Sequence, residues 1–364
     1  MAATICTPRV LHRRPIKQLL ILVSIIFHTF EVAQILRSLI SPADGSVTER
    51  SERVYIASIH WNNEQVLRSH WNDAVIALAN ALGRENVFIT IYESGSWDDS
   101  KGALRELDMA LAAHDIRRNI TLSETTHLNE ISTMERGSGW IDTPRGRREL
   151  RRIPYLSRLR NWALQPLQEL ALQGEQFDKV LFLNDVVFNT DDVFRLLNTN
   201  DGDFAAACSL DFSHPPYLYD TFALRDAEGH EPLMQKWPYF RARESREAVL
   251  RNYPVPVTSC WNGIDNPLRV EKRTYVNPQV RVGYSREAYD VVHPQGSLLS
   301  SWQVSKALWE NRIRRWTTSP WLKEWEVSRR AARWKSVSKE NEEAGEICLV
   351  NEMQVLLENG WAHV

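Results

Sequence analysis

No basic surplus marks this chain. Its 44 Lys and Arg stand against 46 Asp and Glu, a formal net charge of −2, and phosphate neutralisation needs an excess of cations. A dedicated nucleic-acid binder is therefore excluded, although local basic patches remain compatible with the total. Walker, GxGxxG and Ser-nucleophile-elbow motifs are all missing, and the ten histidines show no His/Cys spacing of the metal-binding kind. There is no internal repeat. With 43% hydrophobic and 25% charged residues the chain is not collagenous, disordered or multi-spanning. Its 364 residues allow two domains, or one large domain with an appendage. What it has in unusual amount is tryptophan, fourteen in all. Trp favours interfaces, sugar-binding surfaces and membrane-interface belts, and composition does not choose among them.

At the N-terminus Arg9, Arg13, Arg14 and Lys17 precede an apolar run from Leu19 to Phe30, which Glu31 ends. A bilayer needs about 20 apolar residues, a length this run reaches only by continuing through Glu31 to Ile35 or Leu36. The layout reads as a signal anchor, with a cleaved signal peptide or a buried or amphipathic helix as alternatives. As an anchor it gives a cytosolic tail over 1–18, a transmembrane helix over 19–40 and a polar stem over 41–52. By the positive-inside rule the rest is then luminal. Cys6 would be cytosolic, leaving an odd luminal set of Cys208, Cys260 and Cys348. Asn119-Ile-Thr121 is a glycosylation sequon.

From Val54 the pattern alternates. Val54–Ile59 is a strand, Asn62 and Asn63 cap a helix with Leu67, Trp71, Val75, Leu78 and Leu82 on one face, and Gly83 ends it. Val87–Tyr92 is a second strand, Asp98 and Asp99 open a second helix, and Arg118–Leu122 is a third strand. Such alternation predicts an α/β fold with a mostly parallel central sheet whose ligands gather at the carboxyl ends of the strands. Residues 123–152 read as a long surface loop. A helix with apolar positions from Ile153 to Leu170 follows, kinked at Pro166, and then strands at Val180–Leu183 and Phe204–Cys208. Trp302, Trp309 and Trp316, seven residues apart, lie on one side of a helix in a Trp-rich segment over 301–364. Core packing is the plain reading of that segment, and sugar stacking or a membrane-surface role the alternative.

Three segments can carry chemistry. Val180–Leu183 delivers Asp185 to a strand end, where a carboxylate can hold a divalent cation bridging diphosphate oxygens, or can simply cap a turn. Asp191 and Asp192 look like helix-capping residues. Glu93, Ser94, Trp97 and Asp98, between the second strand and its helix, combine small residues, an aromatic face and acceptors for a base or ribose; a plain connecting loop would also favour Gly, Ser and Asp. Arg145, Arg152, Arg158 and Arg160 suit a diphosphate through bidentate bonds, or form a solvated face.

These residues fall in blocks that resemble the fungal capsule-associated protein and cryptococcal α-1,3-mannosyltransferase family, glycosyltransferase family 69. The blocks are Trp61–Glu64 with Arg68–Trp71, Tyr92–Asp99, Thr143–Arg147, Tyr155–Asn161, Phe182–Val186, Ala207–Phe212, Tyr219–Asp226 and Ser259–Gly263. The resemblance implies a single-pass type II Golgi enzyme with a GT-A-like nucleotide-sugar fold over 53–300 and its catalytic domain in the lumen. It implies GDP-mannose as donor, Mn2+ or another divalent cation as cofactor, and transfer of α-mannose with net retention to a mannose-containing glycan. Asp185 would be the metal ligand, and the Glu93–Asp99 loop and the arginines would lie on the donor side. Asp211, Trp261 and Asn262 would lie on the acceptor side.

The chain departs from the family pattern once. Gly263-Ile264 runs straight into Asp265-Asn-Pro-Leu268, where the family carries several dozen residues with a Glu-Cys-Cys element. That loss fits the odd cysteine count and implies impaired transfer. A non-catalytic relative acting as a partner in a Golgi glycan-synthesis complex is the alternative reading.

Overall fold

A computed structural model describes residues 13–40, 52–133, 136–219, 221, 224–259, 272–320, 325, 329, 332–333, 336 and 354–364. Its centre is a four-stranded, all-parallel sheet of β1 (Val54–His60), β2 (Val87–Ser94), β3 (Arg118–Ser123) and β6 (Lys179–Leu183), in the order β3-β2-β1-β6. β-Branched apolar runs form β1 and β2 because both faces of these inner strands are covered. The helical stretch from Glu64 to Leu82 and the helix Ser100–Ala113 cover one face, where Ile56, Ile89 and Ile91 meet Trp71, Leu78 and Leu104. Helix Arg152–Leu172 covers the other, packing Ala163 on Tyr55 and Ala57, with Tyr55 Oη donating to the Ala163 carbonyl at 2.9 Å.

The α/β class and the parallel sheet are as expected. The segment 123–152 is not the plain loop that its composition suggests. It holds a helix His127–Ser132, capped by Thr126, and a hairpin of β4 (Trp140–Asp142) and β5 (Arg148–Leu150). Three-residue strands are too short to show alternation in sequence.

A second sheet follows in the order β7-β10-β9-β8: β7 (Ala206–Phe212), β8 (Leu224–Asp226), β9 (Val255–Ser259) and β10 (Thr274–Gly283). β7 runs parallel to β10, and a bridge between Val187 and Gly283 ties this sheet to the first. Helix Ser301–Thr317 packs Val304 and Leu308 into the second core with Phe212, Phe240 and Val276, whereas its Trp302, Trp309 and Trp316 are exposed and do not pack into the core as the plain reading expects. A last hairpin, β11 (Gln354–Leu357) and β12 (Gly360–His363), lies against β5, the helix His127–Ser132 and the helix Arg152–Leu172. Near the N-terminus a single helix, Arg13–Ile40, includes a stretch Lys17–Ile40 long and apolar enough to cross a membrane, with mean hydropathy 2.1.

Candidate functional site

Strand order reverses between β1 and β6, since the chain moves from β1 outward to β3 and then returns to the other side of β1. Loops that leave two such strands diverge and open a crevice at their carboxyl ends, where ligands bind. The loop after β1 carries Trp61, Asn62 and Asn63; the loop after β6 carries Asn184 and Asp185. A side-chain hydrogen bond crosses the crevice, from Asn63 Nδ2 to Asp185 Oδ2 at 2.8 Å.

Each side of that bond is braced. Asn63 Oδ1 accepts from Trp61 N at 2.7 Å, and Asn63 N donates to Ser100 Oγ at 2.8 Å. Asn63 therefore does not cap the helix after it, as its position suggests, because its side chain is used across the crevice. Leu67–Trp71 forms a π-helical turn, a distortion often found at functional sites. It points Trp71, fully buried, so that Nε1 donates to the Asn184 carbonyl at 3.0 Å, while His70 Nε2 lies 2.5 Å from the Phe188 carbonyl. The residues flanking Asp185 are thus held from the β1 side. Burial raises the Asp185 carboxyl above its ordinary value, and the bonds from its own backbone N–H and from Asn63 only partly offset this.

The loop after β2 lies beside this pair. Gly95 has φ +69, and a Cβ there would sit 2.1 Å from the Thr125 carbonyl oxygen, so only glycine lets the loops after β2 and β3 meet. Asp98 accepts from Glu64 N at 3.0 Å and from Ser100 N and Oγ at 3.1 and 2.6 Å. Its carboxylate is spent on joining the β1 and β2 loops. Trp97 donates its backbone N–H to Asn62 Oδ1 at 2.8 Å and leaves its ring half exposed. Glu93 is fully buried, with one oxygen accepting from Ser96 N at 2.5 Å and the other without a partner; Ser94 Oγ lies 3.2 Å from Tyr155 Oη. Asp211 accepts from Tyr284 Oη at 3.2 Å and lines, with Asn184 and Val186, a mostly apolar cavity of about 260 Å³ between the two sheets.

Each of the four arginines has a contact of its own within the fold. Arg145 turns back on Glu149 at 2.9 Å, and Arg158 pairs with Glu130 at 2.7 Å. Arg152 donates to Gln354 Oε1 at 2.6 Å and lies over the Trp361 ring, while Arg160 lies over Phe182. For Arg152, Arg158 and Arg160 these partners come from other elements, which spacing along one helix does not reveal. Trp261 and Asn262 lie outside the described residues.

Sequence reasoning missed an aromatic stack beside the crevice. Trp61 stacks on His127 at 4.2 Å and 12°, and Tyr155 and Trp361 close around the same imidazole at 5.5 and 5.9 Å. Burial pushes His127 down to about 4, and His60, buried beneath Trp71, also to about 4. Both are neutral at physiological pH. Between about 4 and 6.5 the unfolded chain takes up protons that the folded chain refuses, so stability is complete above 6.5 and is lost as pH falls toward 4. At roughly 1.4 kcal/mol per unit, each imidazole contributes about 3 kcal/mol to that loss. Urea midpoints followed by Trp fluorescence should fall across this window, and His127→Phe should reduce the slope by about half. An unchanged slope would mean that His127 is not buried in its neutral form.

Among the described residues no three His, Cys, Asp or Glu side chains converge as a closed metal site. Asp185 alone nevertheless fits a shared one. It is half-buried, its charge is uncompensated, and a hard divalent cation is often held by one or two carboxylates with the rest of its shell from substrate phosphates and water.

Fold and crevice together define an α/β protein of the kind that takes its ligand across the carboxyl ends of parallel strands. The chain belongs to the family described as cryptococcal mannosyltransferase 1, which matches residues 53–351, and so to a glycosyltransferase family. Both the N-terminal helix and the hairpin Gln354–His363 lie outside the matched range. No curated protein sequence matches the chain significantly. Among solved structures, a mannosyltransferase from Pyrobaculum calidifontis in complex with GDP-mannose and Mn2+ is 13% identical, covering 89% of this chain and 93% of that one. Its TM-score of 0.34 is too low for the likeness to bear on this chain's site.

Proposed function

We propose that this chain is a Golgi α-mannosyltransferase that moves mannose from GDP-mannose to a mannose-containing glycan, forming an α-1,3 link with net retention. The observation that carries the reading is Asp185 at the switch-point crevice of a chain that belongs to a mannosyltransferase family. Asp185 would hold Mn2+ or a similar cation, whose chemistry is to neutralise the diphosphate and so favour departure of GDP. Asn63 and the braced Asn184 carbonyl fix where that carboxylate points. Trp97 offers an exposed ring on the donor side, and Asp98 sets the loop that carries it. Transfer of labelled mannose from GDP-mannose to a mannose disaccharide tests the reading, and activity equal from UDP-linked donors would contradict it.

The same reading places the domain in the lumen behind a type II anchor. Asn119 is exposed on edge strand β3, open to glycosylation. Protease added to sealed Golgi vesicles is expected to spare the chain from Ser41 onward. Digestion of the C-terminal part in intact vesicles would reverse the orientation.

A further inference from the structure

Helix Arg13–Ile40 changes character along its length. Its N-terminal part is bare, with Leu19, Ile21, Phe27 and Phe30 all more than half exposed. From His28 onward one side docks on the folded domain. His28 Nε2 meets Ser305 Oγ at 2.7 Å, Arg312 donates to both Glu31 oxygens at 2.5 and 2.6 Å, and Val32 and Ile35 are buried in the second core.

The helix that receives it, Ser301–Thr317, has two apolar faces. Val304 and Leu308 point inward. At about 100° per residue, Trp302, Trp309, Ile313 and Trp316 fall within a stripe roughly 60° wide on the opposite side. Trp302 is 73% exposed and Trp316 71%. Ser305 and Arg312, which hold the N-terminal helix, flank that stripe, and Trp309 lies 5.7 Å from His28 and under the Arg312 guanidinium at 5.1 Å. The outward stripe is therefore continuous with the bare surface of the N-terminal helix.

This continuity selects the occupant. Glu31 lies inside the stretch Lys17–Ile40, where an unpaired carboxylate is costly in lipid, and the domain supplies its counter-charge. A helix latched at His28 and Glu31 shares the depth of those residues. Trp rings favour the headgroup level, and the exposed Lys306 beside them suits a lipid phosphate. We propose that helix Ser301–Thr317 is a second membrane contact, lying in the interface beside the spanning helix with its Trp stripe against lipid and the Arg312–Glu31 pair setting its depth. The proposal rests on the anchored reading above.

The test uses the full chain in liposomes with acyl chains brominated near the headgroup, which quench Trp fluorescence on contact. Wild type is compared with the triple variant Trp302→Phe, Trp309→Phe, Trp316→Phe, and the difference spectrum isolates those three rings. The expected result is that the difference emission loses most of its intensity in brominated lipid and is unaffected by aqueous iodide. Quenching by iodide and not by bromine would overturn the proposal, as would protection from both with a chain that sediments as a dimer. Carbonate extraction of the same samples reports on the span alone. Release overturns the anchored reading, whereas retention with difference emission unquenched by bromine overturns only the interfacial helix.

Discussion

Asp185→Asn is expected to lower mannosyl transfer by about 10²–10³-fold, the usual cost of removing one preorganised electrostatic group from a reacting centre. It should also abolish the dependence of GDP binding on Mn2+. The substitution keeps the shape and the bond from Asn63 but removes the charge. Stability gives a readout free of turnover. Burial raises the Asp185 carboxyl, so the folded chain holds its proton more tightly than the unfolded chain, and stability falls as pH rises through that window. The Asn side chain has no proton to lose. Without cation at neutral pH the variant should be at least as stable as wild type, whereas Mn2+ with GDP should raise the melting temperature of wild type alone. Asn63→Ala serves as the comparison. It leaves the carboxylate charged and unsupported, and removal of such a supporting bond costs about 10–100-fold in metal affinity. An Asp185→Asn protein that keeps Mn2+-dependent GDP binding would remove Asp185 from the site.

The central sheet was legible because its signals are local. Val54–Ile59 and Val87–Tyr92 are unbroken apolar runs, Gly83 takes the positive φ that ends a helix, and Asp99 caps the next by accepting from Gly102 N. Asp185 was legible as a polar residue ending an apolar strand, although that strand is an edge strand with Val180 half exposed. Its partner was not, because Asn63 stands 122 residues away and meets it only once β1 and β6 pair. For the arginines, density along the chain was legible and individual contacts were not. Their density before and along one helix suggested a common target, yet Glu130, Glu149, Gln354 and the rings of Phe182 and Trp361 divide them. His127 gave no signal at all, since its burial depends on Trp361, more than two hundred residues on, in a strand of four residues.

The run Gly263-Ile264-Asp265 should separate binding from turnover. It lies outside the described residues, but the strands that flank it are defined: β9 and β10 pair with Val257 opposite Thr274. β10 then runs parallel to β7 toward Gly283, where Asp211 and the Val187 bridge lie. The described strand ends on either side of it, Ser259 and Thr274, lie at the end of the second sheet away from Gly283, about 23 Å from it along a length equal to the seven residues of β7. Asn63, Trp97, Asn184 and Asp185 all precede β7, so loss of a segment here should leave GDP-mannose binding largely intact. Transfer is different, because it needs an acceptor hydroxyl held close to the sugar, and loss of such positioning can cost several orders of magnitude. A segment of several dozen residues, as the family resemblance implies, is long enough to return over that distance and complete the acceptor side. Restoring a family-type segment between Gly263 and Asp265 is expected to leave the GDP affinity within about twofold and to raise transfer to a mannose disaccharide by about 10³-fold or more. Both proteins are compared at equal folded concentration. Equal transfer rates would show that this chain completes its acceptor site without the segment, and a large gain in GDP affinity would place the segment on the donor side instead.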